Sequence, residues 1–111
     1  MDTVPIPTTE DGKGYITKEW LKKVCDAKSQ YRTPRLNTQL LLHHTGISKI
    51  ELLDEYININ ALWLQDNSIR KIENLDQLSK LKSLYLNNNF IQKIEGLDAL
   101  ACLKDLSLQS N

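Results

Sequence analysis

Features that mark enzymes, secreted proteins and membrane proteins are missing from this sequence. Its two cysteines, Cys25 and Cys102, form no Cys-x-x-Cys pair and are too few for disulfide-rich caps, which favours reduced thiols in an intracellular protein. No apolar run reaches the length of a membrane span, and residues 1–20 lack the basic-then-apolar order of a signal peptide. There is also no glycine-rich phosphate loop, nucleophile elbow or paired-carboxylate site. We therefore expect no enzymatic activity and no cofactor.

An excess of charge of either sign is missing as well. Acidic and basic residues balance at 14 each. Residues 1–35 carry seven basic and five acidic side chains, and residues 36–111 carry seven and nine. The larger part of the chain is therefore neutral or mildly acidic, which argues against binding to nucleic acid.

What the sequence does have is a repeat with a period of 22 residues. The motif Leu-x-Leu-x-x-Asn occupies residues 62–67, 84–89 and 106–111, and residues 40–45 are a degenerate copy with Thr45 in place of the asparagine. After these motifs, apolar residues recur at intervals of three: Ile47, Ile50, Leu53 and Tyr56; Ile69, Ile72, Leu75 and Leu78; and Ile91, Ile94, Leu97 and Leu100. This pattern is that of a leucine-rich repeat.

The two spacings within each repeat predict the fold. The Leu-x-Leu alternation is typical of a short strand, and four such strands would stack as a parallel sheet with neighbours about 4.8 Å apart. The interval of three suits a 3₁₀-like or extended return path. We expect an α/β leucine-rich repeat solenoid with a parallel β-sheet on the concave side, an N-terminal helical cap and a 3₁₀ or extended convex side.

The polar residue that closes each motif is predicted to hold the turn where the chain leaves the sheet. An asparagine amide can both donate and accept hydrogen bonds, so it can satisfy backbone groups that would otherwise be buried unpaired. A threonine at this position offers only one hydroxyl. The predicted structural ladder is Thr45, Asn67, Asn89 and Asn111.

The N-terminal third divides into an arm and a cap. Residues 1–14 contain two prolines and two glycines with little apolar content, which predicts a flexible arm. Residues 15–35 are expected to form a helical cap, with Thr17 as N-cap and a helix that runs to about Ser29. Residues 36–111 hold three full repeats and one partial repeat. The apolar face expected to cover the first strand comprises Trp20, Leu21, Val24, Cys25 and Ala27.

The residues between and beside the strand leucines should face outward on the concave side. Trp63 and Tyr85 occupy equivalent positions on neighbouring strands, so their rings should touch or nearly touch. Large aromatic side chains surrounded by amides and a histidine favour a protein-binding site, whereas the alternative is that their bulk merely suits strands. Gln39 begins the row of outward-facing residues that continues with Ala61, Ser83 and Asp105. The candidate protein-binding residues are Leu41, His43, Ala61, Trp63, Gln65, Ser83, Tyr85, Asn87, Asp105, Ser107 and Gln109.

Two adjacent histidines, His43 and His44, raise the question of a metal or catalytic site. Successive strand residues point to opposite sides, so the two imidazoles should diverge, and no cysteine or carboxylate joins them at ligand spacing. We expect neither a metal site nor catalytic residues here.

The C-terminal end of the sequence lies directly after the fourth strand motif, at Asn111. Leu103, Leu106 and Leu108 would have no following repeat to pack against, and the strand at 105–109 would be an open edge. From this we expect a truncated piece of a longer array. The exposed end would then associate end to end with a second copy or be poorly ordered.

Two family resemblances follow from these motifs. Over residues 37–111, the 22-residue spacing with Ile-x-x-Ile-Glu-x-Leu resembles the intracellular leucine-rich repeat subclass that includes phosphatase-1 regulatory subunit 7. From about residue 15 to its end, the chain resembles the dynein axonemal assembly factor 1 family more closely, although Glu51-Leu52-Leu53 departs from that family's Glu-Asn-Leu. The motifs that carry the closer resemblance are Lys22-Lys23-Val24-Cys25, Tyr31-Arg32-Thr33-Pro34-Arg35-Leu36-Asn37, Leu40-x-Leu42-His43, Gly46-Ile47-Ser48-Lys49-Ile50-Glu51, Glu55-Tyr56 and Ala61-Leu62-Trp63-Leu64.

The closer resemblance implies a non-catalytic factor for the cytoplasmic preassembly of axonemal dynein arms, and hence for the motility of cilia or flagella. Its partners would be axonemal dynein subunits, assembly co-factors or chaperones, with no nucleic acid and no membrane, and its location the cytoplasm and the cilium or flagellum. Two alternatives stay open: a phosphatase-1 regulator that binds a catalytic subunit through the same face, and a spliceosomal scaffold that clamps a small RNA-binding domain.

Overall fold

The computed structural model describes residues 4–111, and its centre is one parallel β-sheet of four short strands. The strands pair in chain order, and each residue lies beside the residue 22 positions later. The middle leucine is fully buried in the first three strands. The strands are β1 (Gln39–Leu41), β2 (Ala61–Trp63), β3 (Ser83–Tyr85) and β4 (Asp105–Ser107). The predicted parallel sheet of a repeat solenoid is thus confirmed.

The return path from each strand to the next consists of tight turns and extended segments. The N–H of Leu78 donates to the carbonyl of Leu75 at 3.0 Å, and the N–H of Leu81 donates to the carbonyl of Leu78 at 3.0 Å. Because each bond joins residues three apart, every third side chain points to the same side, and these three leucines are fully buried. The three-residue interval between apolar residues in the sequence therefore follows from the turn geometry of the convex side.

The cap begins with helix α1 (Lys18–Ala27). The hydroxyl of Thr17 accepts a hydrogen bond from the N–H of Trp20 at 3.0 Å and so caps the helix, as its sequence position predicted. Trp20, Leu21, Val24 and Cys25 are buried in the same hydrophobic cluster as Leu40 and Leu42. Ala27, which was expected on this apolar face, is exposed instead, because the helix ends there with Lys28 as its C-cap.

The segment between the cap and the sheet is held by two polar side chains. A short 3₁₀ helix (Pro34–Leu36) follows Thr33, and the side chain of Asn37 then closes a loop with Tyr31. Asn37 Oδ1 accepts from the Tyr31 N–H at 3.0 Å, and its Nδ2 donates to the Tyr31 carbonyl at 2.8 Å. Gln30 Nε2 donates to the carbonyl of Gln39 at 2.8 Å, so the cap also satisfies a backbone group of β1 on the open edge of the sheet.

The N-terminal segment, residues 4–14, is held to the cap and the first repeat at Val4, Ile6 and Gly14, which corrects the prediction of a flexible arm there, while its residues 8–13 are exposed. The indole Nε1 of Trp20 donates to the carbonyl of Val4 at 3.2 Å, and Ile6 packs against the core. The carbonyl of Gly14 accepts from both the N–H and the hydroxyl of Ser48, at 3.0 and 2.7 Å. The amino-acid composition of the segment could not predict these contacts, because most of them are made by backbone groups. Residues 1–3 of the predicted arm lie outside the described residues.

Backbone hydrogen bonds join neighbouring rungs along one edge of the solenoid, and Gly14 lies beside Ile47 there in an isolated parallel bridge. The N–H of Ser68 donates to the carbonyl of Ile47 at 2.8 Å, and the N–H of Phe90 donates to that of Ile69 at 2.8 Å. The bond from Ser48 to Gly14 is not a copy of these two bonds, because Ser48 lies two residues past the repeat position of Ser68 and Phe90. The N-terminal segment adds one rung to the array before the first repeat begins.

Adding a methyl group at Gly14 is expected to loosen this rung. A Cβ at Gly14 would lie only 2.1 Å from the carbonyl oxygen of Gly46, a backbone atom that cannot move alone. We expect Gly14→Ala to lower the free energy of unfolding by about 1–3 kcal/mol and to increase proteolysis of the segment. Urea denaturation and limited proteolysis measure both effects. Lys13→Ala, at an exposed neighbour, is the control; an unchanged Gly14→Ala midpoint would contradict this packing.

Two columns of residues adopt the left-handed backbone conformation once per repeat. The first column, next to the Thr/Asn ladder, is His44, Asp66, Asn88 and Ser110, with φ between 54° and 62°. The second is Leu52, Asn74 and Gly96, with φ of 58°, 60° and 70°. Leu52 is the position at which the sequence departs from the resembled family's Glu-Asn-Leu. A leucine is strained in this conformation, which asparagine and glycine adopt more readily.

The last rung is less buried than the others. Leu103, Leu106 and Leu108 are half-buried, and Ile94 is 69% exposed, although Ile50 and Ile72 at the same repeat position are buried. Ile94 therefore does not join the core as its position in the pattern suggested, because no later rung lies against it within residues 4–111. End-to-end association stays a prediction. Among residues 4–111, no helix has both the length and the apolar character needed to cross a membrane.

Candidate functional site

The candidate site is the face of the sheet that is turned away from the buried leucines, here called the concave face. Its side chains alternate with the core leucines along each strand, as the period of two requires. The register sets them in columns that cross all four strands. The columns are Gln39, Ala61, Ser83 and Asp105; Leu41, Trp63, Tyr85 and Ser107; and, just beyond the strands, His43, Gln65, Asn87 and Gln109.

An aromatic stack occupies the middle of the concave face. The rings of Trp63 and Tyr85 lie with their centroids 4.3 Å apart and their planes at 25°. The ring of His43 meets Trp63 edge-on, with centroids 6.5 Å apart and planes at 60°. Direct pairing of Trp63 with Tyr85 in the register of β2 and β3 produces the stack. The geometry brings together the two aromatic residues that the sequence placed on neighbouring strands.

The outward-facing residues of the aromatic column are half-buried. Leu41, Trp63 and Tyr85 all have intermediate exposure. Each ring covers part of its neighbour, so stacking removes surface from solvent that an isolated strand residue would expose. The rings keep part of their surface exposed, which leaves room for a partner while the stack holds them in place.

Polar side chains border the aromatic stack. On the β4 side, the hydroxyl of Ser83 donates to Asp105 Oδ2 at 3.2 Å. Where the strands end, Asn88 Nδ2 donates to Asp66 Oδ1 at 2.8 Å. The concave face is therefore apolar at its centre and polar around it, with carboxylates as its charged groups, an arrangement typical of protein interfaces.

Three buried polar atoms at this face have no hydrogen-bond partner among the described residues. They are His43 Nδ1, Trp63 Nε1 and Gln65 Oε1. A buried donor or acceptor without a hydrogen-bond partner costs free energy. Binding of a protein that supplies the missing hydrogen bond would therefore be stabilised by the recovery of this cost. Burial, together with the nearby Lys28, lowers the pKa of His43, which keeps its imidazole neutral at pH 7.

The two histidines diverge, but for a different reason from the predicted one. Both lie beyond the end of β1, and His44 turns away from His43 because its backbone is left-handed, with φ of 54°. His43 is half-buried on the concave face, while His44 is exposed. Among residues 4–111, no group of three or more histidine, cysteine or carboxylate side chains could hold a metal ion.

The polar ladder lies beside the concave face and fixes the turns below it. Asn67 Oδ1 accepts from the N–H groups of Thr45, Gly46 and Ile47 at 2.9–3.1 Å, and its Nδ2 donates to the carbonyls of Leu42 and Leu64. Asn89 and Asn111 repeat this arrangement with fewer bonds. Thr45 uses its hydroxyl to donate to the carbonyl of Leu42 at 2.8 Å.

A comparison with protein-family models matches residues 57–99 to leucine-rich repeats, in two copies. The match covers the end of the return path after β1, both middle strands and most of the path toward β4. Together with four parallel strands in a 22-residue register, it decides the fold. The chain has a leucine-rich repeat fold.

Curated proteins that are similar to this leucine-rich repeat chain include several dynein axonemal assembly factors. "Dynein axonemal assembly factor 1 homolog" of Drosophila pseudoobscura pseudoobscura is 47% identical over 57 residues, 51% of this chain and 4% of the relative. "Dynein axonemal assembly factor 1" of Mus musculus is 44% identical over 55 residues, 50% of this chain and 9% of the relative. The protein of that name from Peromyscus polionotus is 47% identical over 49 residues, 44% of this chain and 8% of the relative. The chain therefore spans less than a tenth of these relatives.

Sequence reasoning missed several residues that shape the surface of the leucine-rich repeat fold. Asn37 is 3% exposed and locks the segment that leads into β1, yet it lies outside the 22-residue ladder. A periodic signal did exist for a second surface, because Lys49, Lys71 and Lys93 are spaced by 22 residues. Lys49 and Lys71 of this column line a groove at the edge of the solenoid.

Proposed function

We propose that this protein is a non-catalytic interaction module whose concave face binds another protein. The observation that carries the proposal is the stack of Trp63 on Tyr85, in the middle of a face bordered by polar groups. Aromatic residues in such a setting often contribute most of the binding energy of an interface, because a partner can bury them completely. The partly exposed rings are held in place before binding, so little conformational freedom is lost when a partner docks.

We further propose that the module acts in the cytoplasmic preassembly of axonemal dynein arms. The similarity to proteins named dynein axonemal assembly factor 1, at 44–47% identity over about half of this chain, supports this. The binding partner would then be an axonemal dynein subunit, an assembly co-factor or a chaperone. The protein would work in the cytoplasm of ciliated or flagellated cells, and its loss would impair the motility of the cilium or flagellum.

Alanine substitutions in the aromatic stack test the binding face. We expect Trp63→Ala and Tyr85→Ala each to weaken partner binding by about 1 kcal/mol or more, close to fivefold in affinity. Affinity purification from ciliated cells, with dynein chains and chaperones quantified, measures the loss. Tyr31→Ala is the matched control, because Tyr31 is an aromatic residue that is 62% exposed and lies in the segment before β1.

The same purification separates this proposal from its rivals. Recovery of a phosphatase-1 catalytic subunit through the concave face would replace the dynein assignment with that of a phosphatase regulator. Recovery of small nuclear ribonucleoproteins would point to a spliceosomal scaffold. Retention of dynein chains at the wild-type level by a folded Trp63→Ala/Tyr85→Ala variant would disprove the role of the concave face.

A further inference from the structure

A basic groove lies on the edge of the solenoid where the chain leaves the strands, apart from the concave face. It has a volume of about 500 Å³ and is lined by parts of the N-terminal segment and of three consecutive rungs. Its charged lining residues within the described chain are Lys13, Lys49, Arg70, Lys71 and Glu73. Four cations and one carboxylate thus meet in one groove of a chain whose formal net charge is zero.

The floor of the groove is fixed by backbone hydrogen bonds. The carbonyl of Gly14 accepts from the N–H and hydroxyl of Ser48, and along the same edge the N–H groups of Ser68 and Phe90 donate to the carbonyls of Ile47 and Ile69. Because the rungs are in register, Lys49 and Lys71 stand on neighbouring rungs, about 4.8 Å apart at the backbone. The fold holds these like charges close together, an arrangement that an anionic partner would stabilise.

The charges of the groove are largely uncompensated within the described chain. Across residues 4–111, the ion pairs include only Lys13 from the groove, which lies 3.8 Å from Asp11. Arg70 lies over the ring of Phe90, 5.7 Å from its centroid, and Phe90 is 55% exposed. The guanidinium therefore stays available to carboxylates, beside an exposed apolar surface.

We propose that this groove binds an acidic peptide segment of a protein partner, with carboxylates on Arg70, Lys71 and Lys49 and an apolar side chain on Phe90. Arginine can bind a carboxylate through two parallel hydrogen bonds, which gives the contact geometric specificity. The neighbouring pocket contains Glu51, Asp54 and Asp76, so the basic surface stops after one groove. A nucleic-acid backbone needs a longer basic track than this, which favours a short acidic segment.

The proposal can be tested with paired charge reversals and a defined probe. The probe is a short fluorescein-labelled peptide of glutamate and aspartate with one leucine, and its fluorescence anisotropy reports binding. We expect saturable binding to the wild type, and Arg70→Glu/Lys71→Glu should weaken it at least about tenfold. Arg70→Gln/Lys71→Gln should lie between the two. Lys82→Glu/Lys104→Glu, which makes the same change in net charge at exposed sites outside the groove, should change affinity less than about twofold.

Several outcomes would overturn the proposal. Equal weakening by the two reversed pairs would mean that only overall charge matters, and tighter binding of an RNA oligonucleotide than of the peptide would assign the groove to nucleic acid. A sedimentation change caused only by Arg70→Glu/Lys71→Glu would make the groove a contact between two copies of this chain. Unfolding midpoints establish that every variant is folded. The concave-face variant Trp63→Ala should bind the peptide like the wild type, so the two proposals can fail separately.

Discussion

Replacing Leu64 with alanine is expected to lower the free energy of unfolding by about 2–5 kcal/mol. Leu64 is fully buried, and its carbonyl accepts side-chain hydrogen bonds from both Asn67 and Asn89. The substitution removes apolar atoms from a position enclosed by the core and leaves a cavity that rigid neighbouring rungs cannot fill. Chemical denaturation followed by circular dichroism gives the midpoint and the free energy.

Trp63, the residue before Leu64, provides the matched control. Its side chain is larger than that of leucine, yet it lies on the concave face and is only half-buried. We expect Trp63→Ala to cost about 1–2 kcal/mol, mostly through the lost stack on Tyr85. A larger loss for Trp63→Ala than for Leu64→Ala would mean that the strand faces the other way, since a shift of one residue exchanges the two sides of a strand.

Replacing Asn67 with alanine should cost on the order of 3 kcal/mol, although it removes no apolar surface. Asn67 is 7% exposed, and its amide satisfies the backbone N–H groups of Thr45, Gly46 and Ile47. Without the amide, buried backbone groups of two neighbouring rungs would lose their partners, and alanine cannot replace them. The measurement is the same denaturation experiment. The dependence of the unfolding free energy on denaturant concentration, compared between variant and wild type, tests whether unfolding stays cooperative.

Asn111 supplies the control for Asn67, because it holds the same repeat position in an exposed setting. It makes the corresponding bonds to the Ile91 N–H and to the carbonyls of Leu86 and Leu108. Water can reach these groups, so Asn111→Ala should cost about 1 kcal/mol or less. Equal losses at Asn67 and Asn111 would show that burial does not set the strength of the ladder.

The repeat itself could be predicted because its signal is local and occurs several times. Leu62 and Leu84 face the core at positions 22 residues apart, and the period of two fixes which neighbours face outward. The three-residue interval on the convex side likewise follows from turn geometry. Each position is supported by its copies, so a single irregular residue does not obscure the pattern.

Features that occur once could not be predicted in this way. The packing of residues 4–14 depends on the close approach of Gly14 to Gly46 and on a backbone carbonyl at Val4, neither of which leaves a trace in hydropathy. The clamp formed by Asn37 has no copy elsewhere in the chain. Ile94 shows the opposite error, because its sequence position is regular but its burial depends on a neighbouring rung that residues 4–111 do not contain.

The candidate site was partly foreseeable. The register placed Trp63 beside Tyr85, but their stacking and partial burial depend on side-chain packing, which a column of residue types does not specify. The basic groove could have been suspected from the spacing of Lys49 and Lys71. Lys13, on the other side of the groove, belongs to the N-terminal segment, and the sequence did not predict where that segment lies.

The reach of the asparagine ladder has a consequence for how the chain folds. Asn67, Asn89 and Asn111 each bond to backbone groups between 20 and 25 residues earlier. Every rung therefore closes a loop of about the same length. Pairing β1 first with a strand three repeats away would cost about 1 kcal/mol more in loop-closure entropy than pairing it with its neighbour β2. Ordering neighbour by neighbour avoids that barrier, so the array can grow from any rung that forms first, with a low contact order for a parallel sheet.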